Sequence, residues 1–104
     1  MTDTVVNEIQ VSMKALSRAA ESAIDHEQFE IREQQRQLFL RLDRWVAARK
    51  PEGSSEEIAM AIELLKQQQK VAIEAEGALD SHATLLKISK KVIAVIDKIL
   101  DAVA

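Results

Sequence analysis

The sequence predicts an all-α protein: a long first helix over about residues 4–50, followed by an antiparallel helical hairpin over about 55–76 and 81–103, assembled as a helical-bundle dimer. Three observations carry that expectation. Ala, Leu, Ile, Glu, Gln and Lys dominate, whereas aromatics make up only 3% of the chain, so helix-forming residues are abundant and strand-forming ones scarce. Neither Gly nor Pro occurs between Thr4 and Lys50, so nothing there forces a helix to stop. At about 100° per residue, Val6, Ile9, Met13, Leu16, Ala20, Ile24, Ile31, Leu38, Leu42 and Trp45 fall along one line of a helix surface.

Thr2, Asp3 or Thr4 can cap the first helix, with Asp3 and Glu8 suited to the positive end of its dipole. Its first half carries small residues, Ala15, Ala19, Ala20 and Ala23, beside the apolar line, which allow a close neighbour. Between Asp25 and Gln37 the apolar residues thin to Phe29 and Ile31, and Glu27, Gln34 and Gln35 sit on the otherwise apolar line. Asp25 and Gln28 have the spacing of a capping box, so a break near Asp25 is the alternative to one rod. Phe29, Leu40 and Ala47 align with Val11 in a sparse second stripe nearly opposite the first. Arg44, Arg49 and Lys50 suit a helix C-terminus, and Pro51 ends the helix.

Pro51, Glu52, Gly53, Ser54 and Ser55 form the clearest loop, and Ser54 with Glu57 has capping-box spacing for the second helix. That helix faces one way with Ile58, Ala61, Ile62, Leu65, Gln68, Gln69 and Ala72, while Met60, Leu64 and Val71 widen its apolar arc. Gly77 suits its C-cap. Asp80 or Ser81 starts the third helix, whose line of Leu85, Ile88, Val92, Val95, Ile96, Ile99 and Val103 is the densest in the chain.

Lengths then decide the assembly. A rod of that length measures roughly 70 Å, against roughly 33 Å for each hairpin helix, so the hairpin covers only the rod's second half. The uncovered half would expose Val6, Ile9, Met13, Leu16 and Ile24, at about 1.5–3 kcal/mol each. A two-fold dimer with antiparallel rods buries them, with Val6, Ile9, Met13, Leu16, Ala20, Ile24, Phe29 and Leu40 as the interface. The alternative, broken near Asp25, is a monomeric four-helix up-down bundle. In either, the Gln residues of the waist and of the second helix should meet or hydrogen-bond water.

The 104 residues, 47% of them hydrophobic, suffice for one core, so a single helical domain over 1–104 is expected. A net charge of −3 with signs mixed gives no global field toward nucleic acid or anionic membrane. The chain has no Cys, which removes disulfides and thiolate chemistry. Without an apolar run of about 18 residues or a basic, apolar N-terminal leader, no membrane span is expected and a cytoplasmic location is.

His26 and His82 sit in no metal-binding pattern and read as solvent-exposed or capping side chains. Nucleophile motifs, phosphate-binding Gly loops and cofactor fingerprints are missing, so neither an enzyme nor a cofactor is expected. The expected function is a helical protein–protein interaction module of adaptor, chaperone, immunity or assembly-factor type. It acts as a homodimer and binds a further protein. The alternative is a small regulator contacting nucleic acid through the basic surface of Arg32, Arg36, Arg41, Arg44, Arg49 and Lys50.

Overall fold

The structure is a computed structural model and describes residues 4–47, 55–76 and 81–101. Its helices are α1 (Thr4–Ser22), α2 (Asp25–Ala47), α3 (Ser55–Ala75) and α4 (Ser81–Asp101), with no strand among the described residues. The single rod over about 4–50 is therefore corrected: the chain leaves helical geometry at Ala23 and Ile24 and re-enters at Asp25. Arg49, Lys50, Pro51, Ser54, Gly77 and Asp80, all given roles from the sequence, lie outside the described residues.

The break closes without glycine because side chains take over the last carbonyls of α1. Ser22 Oγ donates to the Ala19 carbonyl (2.8 Å), and the Ala23 amide donates to the Ala20 carbonyl (3.2 Å). Gln28, expected in a capping box, instead reaches back and donates its Nε2 to the same Ala20 carbonyl (2.8 Å). Together these groups satisfy carbonyls that a helix end leaves unpaired. Asp25 turns the chain at φ 54°, a left-handed conformation that Asp tolerates better than most residues.

Magnitudes explain why the bend wins. A non-Gly residue in the left-handed region costs about 1–3 kcal/mol. Ile9 and Leu16, both 0% exposed once the chain folds back, gain roughly 1.5–3 kcal/mol each as an upper figure. The unbroken phase of the apolar line is explained too. Ile9 and Leu16 in α1, with Ala23 just past its end, repeat every seventh residue, as do Ile31, Leu38 and Trp45 in α2, and all six are buried. A spacing of seven marks the core-facing side of a helix whichever way the helix runs.

Hydrogen bonds set the directions. Gln28 and Gln35 of α2 bind Ala20 and Met13 of α1, so residue numbers fall on one helix as they rise on the other and the pair is antiparallel. Ser12 and Ser22 of α1 bind the Leu65 and Ala75 carbonyls of α3, which places those helices parallel. Glu27 with His82 and Arg41 with Asp97 do the same for α2 and α4. Contacts join α3 with α4, α1 with α3, α1 with α2, and α2 with α4. Hence α1 faces α4, and α2 faces α3, across the diagonals of the bundle.

Buried positions alternate at three and four residues: Ile9, Ser12, Leu16 and Ala19 in α1, Leu65, Gln68, Ala72 and Ala75 in α3, Leu85, Ser89, Val92 and Ile96 in α4. That spacing gives nearly aligned helices packed as in a coiled coil. Extents of 38 × 22 × 20 Å match it, and the 13.3 Å radius of gyration is close to the roughly 13 Å of a compact chain this long. The Gln residues are spent between helices. Gln68 Nε2 donates to Ser89 Oγ (2.8 Å), and Gln69 Nε2 reaches Glu8 Oε1 (2.8 Å) and Ser12 Oγ (3.3 Å). Gln35 takes the Met13 carbonyl (3.1 Å).

Candidate functional site

Folding back divides the interface expected of the rod. Ile9, Leu16 and Ala20 are buried in the chain's own core, and Val6 and Met13 are half-buried against it. Ile24, Phe29 and Leu40 remain exposed, Ile24 because it lies in the turn between α1 and α2. The length argument for rod pairing therefore no longer holds, since one chain buries Ile9 and Leu16, half-buries Val6 and Met13, and leaves only Ile24 of those five exposed.

The basic surface of α2 is largely occupied. Arg41 grips Asp97 of α4 with two bonds, Nε to Oδ1 at 2.9 Å and Nη2 to Oδ2 at 3.1 Å, the bidentate geometry that holds a carboxylate best. Arg44 lies 3.8 Å from Asp97 and 3.6 Å from Asp101, and Arg36 pairs with Glu33 (3.1 Å). Arg41 Nη1 also donates to the side-chain Oε1 of Gln37. Gln37 passes the network on by donating Nε2 to Glu33 Oε1 (2.9 Å). That hydrogen bond is the largest influence holding the Glu33 carboxyl below its ordinary value; desolvation opposes it, and the Arg36 charge and hydrogen bond add to the lowering. Arg32 is exposed at one side of a shallow hollow with Arg36 and Phe39.

The histidines separate. His26 is exposed, with Nε2 2.6 Å from Glu30 Oε1. His82 departs from the expected exposure: it is 1% exposed, with Nδ1 2.6 Å from Glu27 Oε2. A carboxylate only accepts, so Nδ1 carries the proton. Nε2 is buried and without a partner among the described residues. The pair ties α4 to α2. Among the described residues no group of three His, Asp or Glu could hold a metal, and no helix is long and apolar enough to cross a membrane.

What stands open is apolar and lies on the outer faces of the two hairpins. Between α3 and α4 runs an open groove of about 920 Å³ lined by Glu56, Ala59, Met60, Glu63, Leu64, Gln67, Lys91, Ala94 and Val95. Its floor is Leu64 and Val95, both half-buried, and Met60 stands out at 56% exposure. Ala59 and Ala94 leave the trough between them because their side chains end at Cβ. Carboxylates line the α3 wall (Glu56, Glu63) and an ammonium the α4 wall (Lys91). A smaller groove of about 530 Å³ between α1 and α2 is lined by Met13, Phe39 and Leu42 among more polar neighbours, including Gln10, Lys14 and Gln35.

Sequence reading did not single out the α3/α4 groove, although a signal was present. Met60, Leu64 and Val71 widen the apolar arc beyond the core line of Ala61, Leu65, Gln68 and Ala72, and the excess faces outward. Compared with known protein families, with characterised proteins and with solved structures, the chain matches none.

Proposed function

We propose that this chain is a non-enzymatic helical interaction module, of adaptor, chaperone, immunity or assembly-factor type, whose α3/α4 face is its binding surface. The observation that carries this reading is the groove around Met60, Leu64 and Val95, apolar on a bundle whose core a single chain already fills. An apolar trough between two helices, with charged walls, accepts the apolar edge of another helix. The paired state of Arg36, Arg41 and Arg44 supports this reading over phosphate contact, because each guanidinium would first have to leave a carboxylate.

A photo-crosslinking residue placed at Met60 tests the reading, with one at the exposed, groove-free Glu21 as control. Irradiation in the producing cell should give discrete adducts from position 60 alone. No adduct, or the same pattern from position 21, would overturn it.

A further inference from the structure

The charge layout of the α3/α4 groove is complementary to itself. Its α3 wall is acidic through Glu56 and Glu63, and its α4 wall is basic through Lys91. Lys98, seven residues on, shares the Lys91 side of α4. None of these four groups has an ion-pair partner among the described residues. The acids of α4, Asp97 and Asp101, are instead turned to Arg41 and Arg44 of α2. From this pattern, and resting on the interaction reading above, we propose that the occupant of the groove is a second copy of the same chain, related by a two-fold axis running along the groove.

Such an axis lays α3 of one copy over α4 of the other and keeps heights along the bundle unchanged. The Gln68–Ser89 hydrogen bond sets those heights. Counting from it along the antiparallel pair, Glu63 is level with Ala94. In the dimer each Glu63 then stands about one helical turn from Lys91 and from Lys98 of the other copy, at about 1.5 Å per residue. Met60 comes level with Asp97, about one helical turn from Ala94, whose short side chain leaves a hole that a long flexible thioether can reach. Rotation about an axis across the helices would instead set the acidic α3 wall against itself, which like charges oppose.

A full face of 38 × 22 Å is on the order of 800 Å², so contact over half of it gives roughly half of what each partner contributes to a standard interface, the size class of a weak, concentration-dependent dimer. At the far end Lys70 and Lys87 come level with each other, so contact centres on the Glu56–Leu64 half and the copies diverge beyond it.

Sedimentation velocity on the full chain, from micromolar to millimolar, tests this. The expected mass is twice 11.6 kDa. Glu63→Lys and Lys91→Glu, each checked for helicity by circular dichroism, should weaken dimerisation roughly ten- to thirtyfold, since the first turns four attractive pairs repulsive and the second two. Mixing the two variants should restore a dimer, because every cross-copy 63–91 pair is then again opposite in sign. A wild-type monomer throughout, or a dimer indifferent to both substitutions, would overturn the proposal. A crosslink from position 60 to a chain of different sequence would overturn the second copy as occupant while leaving the interaction module standing.

Discussion

Glu33 sits on the surface of α2, yet its titration is bound to two neighbours on its own helix. Gln37, one turn on, donates to it, and Arg36 adds the nearer charge. Gln37 is held in that orientation because its side-chain Oε1 accepts from Arg41, which is itself clamped to Asp97. A folded-state value below the ordinary one means that Glu33 adds stability above the carboxylate's usual range. This contribution is lost as pH falls through the lowered folded value. Gln37→Ala should move the Glu33 midpoint upward in a carboxyl ¹³C titration, because the largest lowering influence goes while the desolvation that raises it stays. An unchanged midpoint would assign the effect to Arg36 alone. None of these i, i+3 and i, i+4 contacts requires tertiary structure, so this cluster was readable from spacing. The bond from Arg41 to Asp97, 56 positions apart, was not.

Among the elements, the turn between α1 and α2 has the largest consequence, because it decides whether the first half of the chain is a rod or a hairpin. Asp25 carries its left-handed backbone at a position where a β-branched side chain would clash. Asp25→Val should therefore lower stability by about 1–2 kcal/mol, while Asp25→Gly should be neutral or slightly stabilising. Urea denaturation reads both, and equal losses in the two variants would show that the Asp carboxylate matters rather than the backbone. The helix limits at Thr4, Asp25, Ser55 and Ser81 lie where capping residues cluster in the sequence. The turn itself was legible only as an alternative. Its decisive bonds, Ser22 to Ala19 and Gln28 to Ala20, form only once the chain has reversed.

For the molecule as a whole, register is the question, and the middle of the bundle answers it with polar groups. Gln68 is 0% exposed and Ser89 1%, and their hydrogen bond leaves Gln68 Oε1 without a partner among the described residues. A hydrogen bond adds about 0.5–1.5 kcal/mol net, and an unsatisfied buried acceptor costs about 1–3, so the layer acts on register more than on stability. Gln68→Leu should leave the urea midpoint equal or higher, with the freed Ser89 hydroxyl turning to its own helix. A loss above about 2 kcal/mol would show that the amide is a net stabiliser.

By itself the sequence determined helicity, the approximate limits of the two C-terminal helices, though not the break at Ala23 and Ile24, and most of the core-facing line. All three follow from local propensity, capping chemistry and a spacing that repeats every few residues along one chain. Only the tertiary structure decided that α1 folds back onto α2 and that Arg41 and Arg44 meet Asp97 and Asp101. It also decided that His82 is buried against Glu27. The contacts between α2 and α4 join residues more than 50 positions apart, and a periodic pattern looks the same whether the next helix continues or reverses. The choice falls to the burial free energy of the assembled bundle, which no local window contains.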